Sequence, residues 1–189
     1  MKLVVGLGNP GNAYRNHRHN AGFMAIDALH ARHLGSEWRE KYGGLFARAV
    51  VLGHDVGLLK PLTFMNLSGR AVVKAVQGLG VKPVEILVAH DELELAYGEL
   101  RAKQGGGHGG HNGLRDISAT VGADYARLRL GIGRPAAGPV DAYVLSGFNR
   151  DEGATLEALL DRAVDVMEVA IAQGIDAAIA RTVNPRAKR

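Results

Sequence analysis

Runs of apolar residues and alternating patterns along the chain predict the strands of a sheet. Residues 2–7 and 85–90 are almost continuously apolar, which is typical of strands that are buried on both faces. Residues 99–104 and 126–133 instead alternate apolar and polar positions, as strands with two different faces do. We therefore expect two central strands and two strands with one polar face.

A hairpin is predicted between the first and second buried strands. Residues 45–52 and 56–60 have strand character, and they flank Gly53-His54-Asp55. A short segment containing glycine between two such runs is typical of a hairpin with a three-residue loop.

Apolar residues at helical spacing predict the helices, and Gly35 and Gly80 are expected to end two of them. The predicted helices cover residues 20–34, a segment from a cap at Asn66 or Ser68 to Leu79, residues 113–121 and residues 153–181. Alternating strands and helices with a hairpin indicate an α/β fold, a mixed sheet with helices on both sides. The length of 189 residues indicates that residues 1–189 form a single domain.

Composition excludes several classes of protein. The chain has no cysteine, so disulfides, thiol nucleophiles and cysteine-ligated zinc are excluded, and a reducing cytoplasm is expected. No apolar run reaches the roughly 18 residues of a membrane span, and the beginning of the chain does not have the form of a signal peptide. We therefore expect a cytoplasmic protein without a membrane partner.

Charge is unevenly distributed although the formal net charge is only +4. Residues 101–134 hold six basic and two acidic residues, whereas residues 151–180 hold seven acidic residues and one basic residue. The last nine residues, 181–189, hold four basic residues and no acidic one, and they are predicted to be a flexible basic tail. A basic patch that binds an anion is one interpretation, and a solvated surface is the other.

The spacing Gly6-x-Gly8-x-x-Gly11 after a strand spells a dinucleotide-binding fingerprint. Its context does not fit, because no helix pattern begins at Gly11 and because the acidic residue at the expected distance, Asp27, falls inside a predicted helix. A turn that exposes the Asn9 side chain explains the segment better than nicotinamide binding does.

Two kinds of hydrolytic site remain open. In the first, His17, His19, Asp91 and His111 hold a divalent metal, since imidazole and carboxylate suit zinc, manganese or iron. In the second, Asp91 fixes the tautomer of His19, whose other nitrogen removes a proton from water. Three neutral amides, on Asn9, Asn66 and Asn112, then orient the substrate or an oxyanion. Helix capping for Asn66 and loop geometry for Asn112 are the alternative explanations.

A glycine-rich segment, residues 105–113, follows Lys103. Backbone amides in such a loop can cradle phosphate, but the Lys-Ser/Thr ending of a Walker loop is missing. Lys103 and Arg129 lie on different predicted strands, and they can clamp one phosphate if those strands are neighbours.

Five separated motifs, in order and at matching spacing, resemble the bacterial-type peptidyl-tRNA hydrolase family. They are Gly6-Leu7-Gly8-Asn9-Pro10-Gly11, Arg18-His19-Asn20-Ala21-Gly22, Thr63-Phe64-Met65-Asn66-Leu67-Ser68-Gly69, His90-Asp91-Glu92-Leu93 and the segment 105–114. The resemblance covers residues 1 to about 150. It implies a twisted mixed sheet flanked by helices, and a monomeric, cofactor-free and metal-free esterase that cleaves peptide from tRNA and so recycles tRNA in translation.

The resemblance also implies roles for individual residues. His19 is the general base, Asp91 keeps it basic, and Asn9 discriminates N-blocked from free aminoacyl-tRNA. The residues expected to contact substrate or the tRNA end are Tyr14, Phe64, Met65, Asn66, His111 and Asn112. Lys103 and Arg129 match a pair that holds the tRNA 5′-phosphate. The expected partner is tRNA, with no DNA and no cofactor.

The chain departs from the family pattern at two places. His17 stands where the family commonly has threonine, and Glu94 replaces a common aspartate. Two functional alternatives remain beside the esterase: the metal-dependent hydrolase that uses the histidines, and a tRNA-binding module without activity.

Overall fold

Seven strands form one mixed sheet in the computed structural model, which describes residues 1–183. They are β1 (Leu3–Gly6), β2 (Arg39–Lys41), β3 (Gly44–Val51), β4 (His54–Pro61), β5 (Ile86–Glu92), β6 (Leu100–Gln104) and β7 (Ala126–Gly131). Their order in the sheet is β2-β3-β4-β1-β5-β7-β6. The four central strands β4, β1, β5 and β7 run parallel, and the strands outside them pair antiparallel.

Helices cover both faces of the sheet, as the sequence predicts. They are α1 (Ala21–Arg32), α2 (Ser68–Leu79), α3 (Asn112–Val121), α4 (Val140–Val144), α5 (Arg150–Ala172) and α6 (Ile175–Val183). Helices α1, α5 and α6 pack on one face, where Val4 of β1 is buried. Helices α2 and α3 pack on the other face, against Leu3 and Val5. Successive side chains of a strand point to opposite faces, so β1 must be apolar throughout.

Close packing between β1 and α1 explains the glycines of the first motif. A Cβ atom on Gly6 would lie 2.4 Å from the carbonyl oxygen of Gly22, and a Cβ atom on Gly22 would lie 2.3 Å from the carbonyl oxygen of Ala89. Residues 11–15 form turns rather than a helix. The glycines therefore bring α1 against the sheet, and the segment lacks the helix of a dinucleotide site.

The predicted hairpin forms, but its loop is shorter than expected. Leu52 and Gly53 alone make the turn, with φ of 48° and 84°, and His54 already pairs with Val51. Positive φ at both central residues is the geometry of a tight hairpin turn whose twist matches the strands. The prediction of a three-residue loop, Gly53-His54-Asp55, is therefore wrong.

Two helix predictions also need correction. The predicted helix 153–181 is two helices, α5 and α6, because Gly174 takes a φ of 93° between them. Neither Asn66 nor Ser68 caps α2: the residue before the helix is Leu67, and the Ser68 hydroxyl donates to the carbonyl of Met65.

The structure bears on the predicted basic tail and on the prediction that the chain has no membrane span. Residues 181–183 belong to α6 rather than to a tail, and residues 184–189 lie outside the described residues. The extent of the domain, 1–189, stays a prediction. Within residues 1–183, no helix has the length and apolar character needed to cross a membrane.

Candidate active site

A cavity of about 650 Å³ opens at the carboxyl ends of the parallel strands. The chain leaves β1, β4 and β5 at this edge, which is where open α/β sheets bind ligands. The cavity is lined by eight residues that the sequence singles out: Asn9, His19, Phe64, Met65, Asn66, Asp91, His111 and Asn112.

His19 and Asp91 form a hydrogen-bonded pair in the cavity. His19 lies in a single 3-10 turn, Arg18–Asn20, before α1, and Asp91 lies near the end of β5. The Nδ1 atom of His19 is 3.0 Å from each carboxylate oxygen of Asp91. Because an ionised carboxylate only accepts, the proton sits on Nδ1 and Nε2 keeps its lone pair. This tautomer is the one that a general base needs.

A second histidine shares the same carboxylate. His111 donates from Nε2 to Oδ1 of Asp91 at 3.0 Å. Its Nδ1 accepts the backbone N–H groups of Gly113 and Leu114 at the beginning of α3, at 3.2 and 3.4 Å. These partners assign the His111 tautomer, and they hold the buried Asp91 side chain next to His19, whose ring centre lies 5.0 Å from that of His111.

The charges in this group shift the pKa values of His19 and Asp91 in opposite directions. Burial lowers the pKa of His19, but the charge and hydrogen bond of Asp91 and the charge of Asp141 outweigh it, so the pKa lies above the ordinary value. Burial raises the pKa of Asp91, but His111 and His19 more than reverse this, and the Asp91 pKa falls far below its usual range. Asp91 therefore stays ionised next to His19.

His90 supports Asp91 from within the core. It is buried, its Nδ1 donates to the backbone carbonyl of Asp91 at 2.7 Å, and its ring meets that of His111 edge-on. Burial, and then the charge of His111, lowers the pKa of His90 to about 3. His90 is thus a neutral ring in β5 that packs against His111.

Asn9 is fixed by three hydrogen bonds. Its backbone N–H donates to Oδ1 of Asn20, and Nδ2 of Asn20 donates back to the Asn9 carbonyl, each at 2.9 Å. The side-chain Oδ1 of Asn9 accepts the N–H of Met65 at 2.8 Å. With Oδ1 engaged, the Nδ2 amino group is the part of this carboxamide that remains for a ligand in the cavity.

The remaining amides and an aromatic ring surround the mouth of the cavity. Asn66 and Asn112 are exposed, and the Phe64 side chain is 59% exposed although it is large and apolar. An exposed aromatic ring at a cavity mouth is suited to stacking on a base.

His17 and Tyr14 lie away from this group. The His17 backbone pairs with Gly147, its ring meets Tyr14 edge-on at 5.4 Å between centroids, and neither residue lines the cavity. Among the described residues, the ligand atoms of His19, Asp91 and His111 lie within 4.8 Å of one another. His17 does not belong to this group, so the four-residue metal set is wrong. The role of Tyr14 at the tRNA end stays a prediction.

Lys103 and Arg129 lie on neighbouring strands, as the phosphate clamp requires. Lys103 pairs in register with Arg127, so Lys103 and Arg129 are diagonal neighbours on one face. Arg129 donates from Nε to Glu92 at 2.8 Å. Arg127, which the sequence shows only as part of a polar face, donates to the carbonyls of Gly106 and Gly107 and so holds the glycine-rich segment.

One wall of the cavity was not expected from the sequence. Helix α4 contributes Val140, Asp141 and Val144, and Arg134 lies near the end of β7. Helix α4 has only five residues, which is too short for helical periodicity to be recognised.

Comparison with known proteins shows which family the chain belongs to. The family model described as peptidyl-tRNA hydrolase matches residues 3–189. A peptidyl-tRNA hydrolase of Sorangium cellulosum is 52% identical, covering 98% of this chain and 86% of its own length. One from Rhodopseudomonas palustris is 49% identical, with coverages of 97% and 89%.

The similarity extends to solved structures. The crystal structure of peptidyl-tRNA hydrolase from Acinetobacter baumannii is 38% identical, with a TM-score of 0.88 and 95% coverage of each chain. Both the family model and the curated relatives extend over nearly the whole chain. The chain belongs to the peptidyl-tRNA hydrolase family.

Proposed function

We propose that this protein hydrolyses the ester bond between a peptide and the ribose of tRNA, and thereby returns tRNA to translation in the cytoplasm. The observation that carries the proposal is the His19–Asp91 pair. It places an unprotonated imidazole nitrogen in an open cavity, in a chain of the peptidyl-tRNA hydrolase family.

The base acts through a bound water molecule. Nε2 of His19 takes a proton from the water as the oxygen attacks the ester carbonyl, and Asp91 stabilises the imidazolium that forms. Collapse of the tetrahedral intermediate breaks the bond to the ribose oxygen, which takes the proton from His19. General base catalysis of this kind contributes about 10²–10⁴-fold.

Amide donors complete the proposed site. The Nδ2 group of Asn9 is held by the bond from Met65 to Oδ1, so it can donate to the substrate without reorganising. Asn66 and Asn112, at the mouth, are proposed to bind the peptide and the terminal adenosine. A preorganised amide donor that faces the oxyanion lowers the activation barrier by about 2.7–4 kcal/mol.

The tRNA is proposed to extend from the cavity over Phe64 and Tyr14, with its 5′-phosphate at Lys103 and Arg129. The two basic residues share one face of neighbouring strands, which supports a common phosphate ligand. We further propose that the protein works as a monomer, with one site in each chain and no cofactor.

A metal-dependent hydrolase is the second candidate, because the ligand atoms of His19, Asp91 and His111 lie close together. Hydrogen bonding within the group argues against it. His19 Nδ1 and His111 Nε2 both donate a hydrogen bond to Asp91. These two nitrogens therefore carry protons and have no free lone pair with which to bind a metal beside Asp91.

The experiment that tests the proposal compares the protein with its His19→Ala variant on N-acetyl-aminoacyl-tRNA. We expect turnover to fall by about 10²–10⁴-fold while binding of tRNA is kept. The exposed His54→Ala variant serves as the control. If the His19→Ala variant turned over the substrate as fast as the parent protein, His19 would not be the general base.

A further inference from the structure

Arg18, the residue before the proposed base, is buried and paired across the fold. Only 6% of its side chain is exposed, and its partner Glu152 lies at the beginning of α5. Nη1 donates to Oε1 of Glu152 at 2.9 Å, and Nη2 lies 2.7 Å from Oε2. Two parallel bonds between a guanidinium and a carboxylate fix orientation as well as distance.

The same guanidinium stacks on the segment that carries the cavity wall. Its central carbon lies 4.4 Å from the ring centre of Tyr143 in α4 and 5.2 Å from that of Phe148. Asp141 and Val144, on either side of Tyr143, line the cavity. Arg18 thus contacts the wall that faces His19.

Backbone contacts hold the two segments together. The N–H of Arg18 donates to the carbonyl of Ser146 at 2.9 Å, and the adjacent His17 pairs with Gly147. Glu152 is itself immobilised by reciprocal bonds with Asn149, in which the N–H of Asn149 reaches Oε2 at 2.8 Å. The anchor of Arg18 is therefore rigid.

We propose that Arg18 is a positioning residue that sets the place of His19 relative to the α4 wall of the cavity. It acts through the neighbouring His19 and through Tyr143, and it does not touch the substrate. This inference rests on the proposed function for its kinetic consequence. Lysine cannot replace arginine here, because an ammonium lacks both the paired donors and the flat face.

Arg32 provides a matched control at the other end of α1. It also binds carboxylates of α5, in this case Asp161, Asp165 and Glu168. None of these residues lines the cavity. We therefore expect the Arg32→Lys variant to weaken the contact between α1 and α5 without displacing His19.

The test compares turnover by Arg18→Lys and Arg32→Lys, with the thermal midpoint of each recorded. A misplacement of about 1 Å near the chemistry can cost about 100-fold, so we expect Arg18→Lys to lose about 10- to 100-fold in kcat. We expect Arg32→Lys to keep the kcat of the parent protein. Added to His19→Ala, the Arg18→Lys change is expected to cause no further loss, because Arg18 acts through that imidazole.

If Arg18→Lys does not fold, Tyr143→Leu replaces it. This variant leaves the Arg18–Glu152 pair in place, but it removes both the aromatic face and the hydrogen bond that the Tyr143 hydroxyl donates to the carbonyl of Ile132. Tyr143→Phe, which loses only that hydrogen bond, is therefore measured beside it. We expect a smaller loss of kcat in Tyr143→Leu than in Arg18→Lys, and a still smaller one in Tyr143→Phe. Equal kcat in these variants and in Arg32→Lys would overturn the inference. The inference would also be overturned if Arg18→Lys lowered kcat as much in the His19→Ala variant as it does in the parent protein.

A measurement without substrate separates this inference from the proposed function. The ¹⁵N signals of the His19 ring report its tautomer and surroundings, and they should shift in Arg18→Lys but not in Arg32→Lys. If the parent protein cleaves no ester, the proposed function fails while the ring signals still test Arg18. Unshifted His19 signals in Arg18→Lys would overturn the positioning role.

Discussion

Nδ1 of His19 lies 3.0 Å from both carboxylate oxygens of Asp91, although the two residues are 72 positions apart in the chain. The contact is possible because β1 and β5 are parallel neighbours, so the end of β5, which carries Asp91, and the segment that follows β1 meet at one edge of the sheet. The pair fixes the tautomer of His19 and directs Nε2 away from Asp91. The pH dependence of the activity is expected to follow from this pair.

Activity should rise with pH as His19 loses its proton. Its pKa lies above the ordinary histidine value of about 6.5, so the acidic limb of kcat/KM should lie above that pH. The Asp91→Asn variant removes the charge that raises this pKa, while burial remains. We expect its acidic limb to move to lower pH and its plateau to fall by about 10²–10⁴-fold.

The pH profile of kcat/KM for Asp91→Asn, beside the exposed Asp124→Asn, checks this expectation. An acidic limb at the same pH in Asp91→Asn as in the parent would show that another group controls the profile.

The Asn9→Asp variant tests the amide donor. Aspartate keeps an oxygen for the N–H of Met65, but it replaces the Nδ2 donor by a negatively charged oxygen. We expect kcat to fall by about 10²–10³-fold, the size of effect that the loss of one preorganised amide donor has. The exposed Asn12→Asp is the isosteric control, and single-turnover cleavage is the measurement. Comparable rates for the two variants would exclude Asn9 as a donor.

The central strands and their helices could be predicted from the sequence because burial on both faces leaves a continuous apolar run. Strand β2 could not, since its residues Arg39, Glu40 and Lys41 are polar and exposed at the edge of the sheet. The break between α5 and α6 was missed because apolar periodicity continues across it, and the backbone at Gly174 decides it.

The members of the site could be proposed from motifs, but their convergence depends on the order of the strands. Spacing does not show that His111 and His19 share Asp91. The pairing of Arg18 with Glu152, 134 residues later, depends on where α5 packs, and no local pattern indicates it.

His90 should make the protein less stable in acid. The unfolded chain binds a proton at His90 near pH 6.5, whereas the folded protein does so only at a pKa of about 3. The free energy of unfolding therefore falls as the pH drops from about 6.5 towards 3. We expect the His90→Gln variant to show a shallower fall between pH 7 and pH 4.5, measured by urea unfolding.

The exposed His54→Gln variant is the control for this measurement and should keep the slope of the parent. A slope for His90→Gln that equals the parent's would show that His90 does not stay neutral in the folded protein.

Lys103→Ala tests the phosphate clamp. If Lys103 contacts the 5′-phosphate, the variant should bind 5′-phosphorylated tRNA more weakly but bind dephosphorylated tRNA almost as the parent does. The slope of log K against log salt should fall by about one. Binding titrations at several salt concentrations measure this, with the exposed Lys82→Ala as control. An equal loss for both tRNAs would contradict the clamp.

Release of free tRNA from N-acetyl-aminoacyl-tRNA, beside unblocked aminoacyl-tRNA and with EDTA present, tests the central claim most directly. The proposed mechanism predicts rapid cleavage of the blocked substrate alone, because His19 and Asp91 need no metal and Asn9 selects the blocked amine. Loss of cleavage in EDTA with rescue by zinc or manganese would instead assign His19, Asp91 and His111 to a metal. An absence of cleavage with and without added metal would contradict the hydrolase assignment.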